Sequence, residues 1–138
     1  MSQRAGSNRK RLLIVDDEPL VHRTLSRALR PHIDVVSKLG PAEALDELGE
    51  ELAAFDVVLV DVCMQGDADG LDFYRHHLEG LPVTRRPLVI FMTGDERAAS
   101  MIAGTMNVCC LAKPFTLAEL REAMAEHLAS AGSDLHPS

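Results

Sequence analysis

The chain is short of aromatic residues, of cysteine and of long apolar runs. It has no Trp, one Tyr and four Phe among 138 residues, so aliphatic side chains must form most of its core. Its three cysteines, Cys63, Cys109 and Cys110, are too few and too unevenly spaced for a disulfide framework, which favours a reducing compartment. No apolar run approaches the roughly 18 residues of a membrane span, and no signal-peptide pattern opens the chain. We therefore expect a cytoplasmic protein with no membrane segment.

Basic residues are also scarce outside the first segment. Lys and Arg number 14 against 21 Asp and Glu, and four of the 14 are Arg4, Arg9, Lys10 and Arg11. Residues 12–138 therefore have 10 basic and 21 acidic side chains, a net charge of −11, which argues against nucleic-acid binding by the folded part. We predict a basic disordered leader over residues 1–11, one folded domain over residues 12–128 and a frayed tail over residues 129–138.

Short apolar runs alternate with stretches of helical periodicity, five of each, which is typical of βα units around a parallel sheet. The predicted strands are residues 12–15, 33–36, 55–60, 88–92 and 108–112, with the third, most apolar strand at the centre. The predicted helices are residues 19–29, 41–52, 70–78, a short helix over 96–103, and a last helix that begins with a capping box at Thr116 and ends at about residue 128.

Charged or hydroxyl side chains stand at the carboxyl ends of four predicted strands. They are Asp16 and Asp17 after the first strand, Asp61 after the third, Thr93 after the fourth and Lys113 after the fifth. Considered separately, each of these residues has an ordinary structural explanation. An acidic pair before a helix is often a simple N-terminal cap, and a lone Asp, Thr or Lys is often a turn or surface residue. Because the carboxyl ends of parallel strands meet at one edge, their joint placement predicts an acidic, cation-dependent pocket.

The stretches LIVDDEP, VVLVDV, FMTGD and LAKPF, in this order, resemble the receiver domains of two-component response regulators. The resemblance covers about residues 12–128. It implies an α/β fold of five βα units: a flavodoxin-like, doubly wound, five-stranded parallel sheet with strand order 2-1-3-4-5. It also implies a signalling domain rather than an enzyme, which assists its own phosphorylation and slow autodephosphorylation.

The resemblance assigns a role to each acidic residue of the pocket. Asp61 matches the phosphoacceptor of the family. Asp16, Asp17, one oxygen of Asp61 and the backbone carbonyl of Cys63 would hold Mg²⁺, a hard cation that prefers oxygen ligands. A divalent cation and a fixed positive charge offset the repulsion between a carboxylate and an anionic phosphoryl donor.

The resemblance also assigns roles to the remaining pocket residues. Lys113 would supply the fixed positive charge, with Pro114 in the cis form turning its side chain inward. The hydroxyl of Thr93 would donate to a phosphoryl oxygen and report its arrival through the loop that follows. Cys63 and Asp95, each two residues after a pocket residue, are expected to tune the lifetime of the acyl phosphate by controlling the attacking water.

Several positions depart from the family pattern. Cys110 stands where receiver domains usually have Tyr or Phe, so the usual coupling of the threonine to a ring is missing here, and redox sensing by this thiol is an alternative. Gln65 replaces a usual Pro in the loop after the third strand. Met106 and Asn107 replace the usual small residues before the fifth strand. With the short fourth helix, these changes predict an unusual partner surface.

Three histidines invite a phosphohistidine or metal-binding interpretation: His22, His76 and His77. His76 and His77 are adjacent and cannot share one face of a helix. His22 lies on the first helix among Arg residues. We predict that all three are solvated surface residues.

The leading hypothesis is a stand-alone bacterial response regulator. It would accept a phosphoryl group on Asp61 from a sensor histidine kinase or a phosphotransfer protein, with Mg²⁺, and would signal through an unknown downstream protein. We expect no DNA-binding domain, and a monomer or a phosphorylation-dependent dimer. The alternative is a non-phosphorylated receiver-like interaction module, suggested by Cys110 but opposed by the complete pocket. A Mg²⁺-dependent phosphohydrolase ranks third, because it would need an acid where Cys63 stands.

Overall fold

A computed structural model describes residues 9–62, 69–82, 84, 86–106 and 108–125 of the chain. The strands within these residues are β1 (Arg11–Val15), β2 (Asp34–Lys38), β3 (Val57–Asp61), β4 (Leu88–Thr93) and β5 (Cys109–Ala112). They form one parallel sheet in the order β2-β1-β3-β4-β5. The predicted doubly wound sheet and its strand order are therefore confirmed, with β3 at the centre.

Helices connect the strands and cover both faces of the sheet. In the described residues they are α1 (Pro19–Leu29), α2 (Pro41–Leu48), α3 (Asp69–Phe73), α4 (Glu96–Met106) and α5, which is helical over residues 117–125. A 3-10 helix (Gly49–Ala54) follows α2, and a π-helical turn (Tyr74–Leu78) continues α3. No helix in this part of the chain is long and apolar enough to cross a membrane.

Local sequence signals account for two helix ends. At the start of α5, the backbone N–H of Thr116 donates to Glu119 Oε1 at 2.7 Å, and the N–H of Glu119 donates to Thr116 Oγ1 at 3.0 Å, which confirms the predicted capping box. At the end of α2, Gly49 adopts a φ of 52°, a conformation that glycine accepts readily. For this reason α2 ends at Leu48, before the predicted residue 52.

Each of the five strands differs from its predicted bounds by one or two residues, and α4 differs in length. β3 covers Val57–Asp61 instead of residues 55–60, β4 ends one residue later than predicted, and β5 begins one residue later. The backbone N–H of Ile33 donates to Leu29 at 2.9 Å, so Ile33 belongs to the turn that ends α1, and β2 begins one residue later. β1 starts at Arg11, inside the predicted leader, because Arg11 pairs with Asp34 of β2 and its carbonyl accepts from the backbone N–H of Asp56 at 2.9 Å. The fourth helix is not short, because α4 runs three residues past the predicted end. It continues through Gly104, since the low helix propensity of a single glycine is a weak signal that tertiary packing can override.

The core has two layers, one on each face of the sheet. Buried residues of α1 and α5 pack on one face: Leu25, Leu29, Leu120, Ala123 and Met124. The other face packs against Ala44, Phe73, Tyr74, Leu78 and Ile102. As expected for neighbours in a strand, the two cysteines of β5 lie against opposite layers. Packing on both faces makes the sheet a rigid platform for the residues at its edge.

Candidate functional site

The carboxyl edge of the sheet brings together four of the predicted site residues. Asp61 is the last residue of β3 and Thr93 is the last residue of β4. Asp16 directly follows β1, and Lys113 directly follows β5. The side chains of Asp16, Asp61 and Thr93 are buried, with relative exposures of 0, 6 and 6%. Buried polar side chains at one edge of a parallel sheet form a pocket, as the strand-end pattern predicts.

Asp16 is fixed through both of its carboxylate oxygens. Oδ1 accepts a hydrogen bond from the backbone N–H of Glu18 at 2.9 Å, and Oδ2 accepts one from Lys113 Nζ at 2.9 Å. The backbone N–H of Asp16 also donates to the carbonyl of Lys38 on β2 at 3.2 Å. A carboxylate with no solvent exposure needs such partners, because an isolated buried charge is strongly unfavourable.

Asp61 is held against the start of α3 by a close approach of two backbones. Gly70 N–H donates to the carbonyl of Val62 at 3.1 Å. A Cβ atom placed on Gly70 would lie 2.0 Å from the carbonyl oxygen of Asp61 and 2.9 Å from Val62 Cα. A side chain at this position is therefore incompatible with the observed backbone. The sequence placed Gly70 only at the start of a predicted helix, because a contact between the backbones of two elements leaves no signal in a sequence pattern.

Lys113 is the cation of the pocket. Its Nζ donates to Asp16 Oδ2 at 2.9 Å, to Glu18 Oε1 at 3.0 Å and to Asp61 Oδ2 at 3.2 Å. Partial burial lowers the pKa of Lys113, but the hydrogen bonds to Asp16 and Glu18 and the charges of Asp16 and Asp61 raise it more, so the net pKa is above its ordinary value. The ammonium is therefore charged at any physiological pH. The Lys113–Pro114 peptide bond is cis, as the family resemblance implies.

The carboxylates around Lys113 make an oxygen-rich cluster. Asp16, Glu18 and Asp61 each place one carboxylate oxygen within 4.8 Å of the others, among the residues that the structure describes. One ammonium faces three carboxylates, and this excess of negative charge and the hard oxygen donors fit a divalent cation such as Mg²⁺. Asp17 is half-buried and lies outside this group, whereas Glu18, which the sequence prediction omitted, belongs to it. Cys63 lies outside the described residues.

Thr93, at the end of β4, is connected to the start of α4 through Asp95. Thr93 Oγ1 accepts a long hydrogen bond, 3.3 Å, from the backbone N–H of Asp95. Asp95 Oδ1 accepts from the backbone N–H of Arg97 at 2.9 Å, which is the position of a cap at the start of α4. The loop from β4 to α4 therefore connects the hydroxyl of Thr93 to a helix end.

Cys110 lies in β5 opposite Phe91 of β4 and packs against the core layer that contains Tyr74. Burial, and to a lesser extent the neighbouring Cys109, raises the pKa of Cys110 to about 11. Thiolates are the reactive form of cysteine, so a raised pKa makes this thiol less reactive near neutral pH. The chemistry of Cys110 therefore disfavours redox sensing and favours a packing role.

The histidines divide into two groups. His76 and His77 are exposed on the π-helical turn, as predicted. His22 is not a surface residue: it is only 7% exposed, and its Nε2 lies 2.6 Å from the backbone carbonyl oxygen of Asp16. The prediction was wrong because α1 turns this position toward the β1–α1 turn, which the charges of neighbouring Arg residues do not reveal.

A groove opens beside Lys113 between α1 and the β5–α5 loop. Its volume is about 450 Å³, and it is lined mainly by apolar atoms, including those of Leu20, Val21, Pro114 and Phe115. Leu20 is 65% exposed, which is unusual for a large apolar side chain beside a polar pocket. The groove offers an apolar surface directly adjacent to the acidic cluster.

Sequence comparison identifies a family model over most of the chain. The model of the response regulator receiver domain matches residues 12–125. A protein-glutamate methylesterase/protein-glutamine glutaminase of Cereibacter sphaeroides is 34% identical over 123 residues, which is 83% of this chain. The match covers 31% of that relative, so the chain spans about a third of its length.

Solved structures share the fold. A response regulator receiver domain protein of Clostridium thermocellum superimposes with a TM-score of 0.72 and 23% identity, covering 89% of this chain and 97% of that one. A CheY-like receiver domain of Methylobacillus flagellatus gives a TM-score of 0.71 and 19% identity, covering 86% of this chain and 98% of that one. At these identities the likeness concerns the fold alone.

Proposed function

We propose that this chain, which belongs to the response regulator receiver domain family, accepts a phosphoryl group on Asp61. The observation that supports this most directly is the buried carboxylate of Asp61 at 3.2 Å from the charged ammonium of Lys113. Asp16 and Glu18 share the same ammonium. A carboxylate, a fixed cation and additional acidic ligands at one point suit phosphoryl transfer, which depends mainly on positioning and charge neutralisation.

In the proposed reaction an oxygen of Asp61 attacks the phosphorus atom of a phosphohistidine. The new oxygen–phosphorus bond forms as the phosphorus–nitrogen bond breaks, and the donor imidazole keeps the electron pair and takes up a proton. Lys113 pairs with the oxygens of the transferred group, so that its positive charge offsets the charge that the group brings. The product is an aspartyl phosphate, and its slow hydrolysis returns Asp61 to the carboxylate.

Receiver domains bind Mg²⁺ at an acidic pocket, and we propose that Asp16, Asp17 and Asp61 hold it here, together with the backbone carbonyl of Cys63. Glu18 adds a fourth carboxylate to this set, because it belongs to the same cluster of oxygens. The cation, when bound, neutralises negative charge between the carboxylates and the phosphoryl oxygens. Lys113 and the ion would thus divide the task of charge compensation.

Thr93 is the proposed reporter of the phosphorylated state. Its hydroxyl oxygen accepts a long bond from the backbone N–H of Asp95, and a charged phosphoryl oxygen would be a strong acceptor for the hydroxyl hydrogen. A shift of Thr93 would move the loop that begins α4 and the adjacent β5, because Lys113 N–H donates to the carbonyl of Thr93 at 2.6 Å. With Cys110 in place of a ring, this backbone connection is the proposed route to the partner surface.

The proposed donor is a sensor histidine kinase or a phosphotransfer protein. The apolar groove beside Lys113, with exposed Leu20 at its rim, would accept an apolar surface of such a donor next to the acidic pocket. We further propose that the domain acts as a stand-alone regulator in the cytoplasm, that it signals by contact with a downstream protein, and that it is a monomer or dimerises on phosphorylation.

The test is incubation with Mg²⁺ and acetyl phosphate followed by intact-mass spectrometry. We expect an added mass of about 80 Da, one phosphoryl group, on the wild-type protein. Asp61→Asn should lack the adduct, because an amide cannot serve as the nucleophile. Asp72→Asn is the matched control, since Asp72 is an exposed acidic residue of α3 and should leave phosphorylation unchanged. An adduct of equal yield on Asp61→Asn would contradict the assignment.

A further inference from the structure

His22 contacts the main chain of Asp16, one of the acidic residues of the pocket. It lies on the first turns of α1, where its imidazole is 7% exposed. Its Nε2 is 2.6 Å from the carbonyl oxygen of Asp16. A carbonyl oxygen can only accept a hydrogen bond, so Nε2 must hold the hydrogen and donate it.

The other ring nitrogen of His22, Nδ1, makes no hydrogen bond to the residues that the structure describes. This nitrogen is buried. A buried polar atom without a partner is unfavourable, and an apolar side chain of similar size would remove this disadvantage. The imidazole therefore contributes something that packing alone does not require.

The carbonyl that His22 binds belongs to the peptide unit between Asp16 and Asp17. A change in the ψ dihedral of Asp16, which moves this carbonyl, would redirect Asp17 and Glu18 relative to the Asp16 side chain. The N–H of Asp16 is already fixed by the carbonyl of Lys38 at 3.2 Å. With His22 on the carbonyl, the main chain on both sides of Asp16 is held in place.

We infer that His22 is a positioning residue, which orients the acidic residues of the β1–α1 turn for cation binding by donating from Nε2 to the carbonyl of Asp16. This inference rests on the proposed function, because it supposes that the pocket holds Mg²⁺. Residues that orient metal ligands typically change metal affinity by about 10- to 100-fold when they are removed.

The experiment compares three variants by Mg²⁺ titration calorimetry and urea unfolding. His22→Leu fills the buried space without a donor, and we expect Mg²⁺ affinity to fall by about tenfold or more. His22→Gln places an amide N–H near the position of Nε2, and it should restore the affinity to within about threefold of wild type. His32→Leu is the matched control, since His32 is exposed beyond α1 and should not change Mg²⁺ affinity.

The rate of phosphorylation by acetyl phosphate gives a second measurement. His22→Leu should be slow at limiting Mg²⁺ and should approach the wild-type rate when Mg²⁺ is saturating, because the chemical groups of the pocket are all present. A merely structural role would instead lower stability in urea and leave this dependence on Mg²⁺ concentration unchanged. His22→Met provides a second apolar variant, with a flexible side chain, if His22→Leu does not fold.

The outcomes separate the two proposals. Equal Mg²⁺ affinity in His22→Leu and the wild type, or no recovery in His22→Gln, would overturn the positioning role while leaving phosphorylation of Asp61 intact. A wild-type protein that binds no Mg²⁺ would overturn both. Weak binding in the Leu variant with recovery in the Gln variant would support both.

Discussion

The close approach of α3 to Asp61 predicts a sharp effect of Gly70→Ala. An added Cβ would lie 2.0 Å from the Asp61 carbonyl oxygen, 2.8 Å from its carbonyl carbon and 2.9 Å from Val62 Cα. All three atoms belong to the backbone, so no side chain can rotate away to make room. Bringing the shortest of these contacts to the 3.4 Å of an ordinary contact requires a displacement of about 1.4 Å.

Gly104→Ala on α4 is the control for this substitution. A Cβ at Gly104 has no atom within 4 Å, apart from its own helix and chain neighbours. Both substitutions replace a glycine by alanine, a better helix former, so a loss of stability in Gly70→Ala relative to Gly104→Ala reports the collision at Asp61. We expect Gly70→Ala to be less stable than Gly104→Ala by about 1–3 kcal/mol, the usual cost of an overpacked contact. Urea unfolding measures this difference.

The same displacement should affect phosphoryl transfer. A misplacement of about 1 Å in a reacting group can slow a reaction by about a hundredfold. Gly70→Ala should therefore accept phosphate from acetyl phosphate much more slowly than Gly104→Ala, under conditions where both proteins are folded. If the two alanine variants have the same stability and the same phosphorylation rate, the backbone contact at Gly70 does not position Asp61.

Three other predictions concern the ammonium, the buried thiol and the cap of α5. Lys113→Met should lose up to about 3 kcal/mol in urea without Mg²⁺, because Asp16 is left buried without its cation, and added Mg²⁺ should stabilise this variant more than the wild type. An equal response to Mg²⁺ in both proteins would oppose this. The pKa of Cys110, raised from about 9 to about 11, means that the folded state keeps a proton that the unfolded state loses, so stability should fall as pH rises from about 9 to about 11. In pH-dependent urea unfolding, Cys110→Ala should show a smaller decline than the wild type, with a remainder from the raised pKa of Lys113, and an identical decline in both proteins would refute the role of Cys110. Thr116→Ala should cost about 1 kcal/mol, and a double-mutant cycle with Glu119→Ala should show coupling, whereas strictly additive losses would argue against a reciprocal cap.

The sequence predicted the sheet and most of its edge because those features leave periodic, local signals. Apolar runs mark buried parallel strands, and the residue after each run falls at the carboxyl edge by geometry alone. Asp16, Asp61, Thr93 and Lys113 lie where this rule places them. The errors in the predicted strand ends are small and have local causes. For example, the backbone N–H of Ile33 donates to the carbonyl of Leu29, which makes Ile33 part of the turn at the end of α1.

The residues that the sequence did not reveal act through contacts between different elements of the fold. Glu18 reaches Lys113, which lies 95 positions later in the chain. Gly70 meets the main chain of Asp61, and His22 meets the main chain of Asp16, so neither depends on a side-chain pattern. Each becomes visible only after folding has fixed the distance between two backbones. Periodicity can predict which residues reach the edge of a sheet, but it cannot predict what holds them there.

The charge balance of the pocket links these observations to the proposed chemistry. Asp16 and Asp61 are buried, with carboxylate oxygens within 4.8 Å of one another, and at an effective dielectric constant near 20 such charges repel by about 3 kcal/mol. Lys113 offsets this repulsion by contacting both carboxylates, and it also binds Glu18. One ammonium cannot neutralise three carboxylates, so the folded pocket has an excess of negative charge that favours a divalent cation. A phosphoryl group adds further negative charge at Asp61, and a pocket that already attracts cations is the place where that addition is least unfavourable.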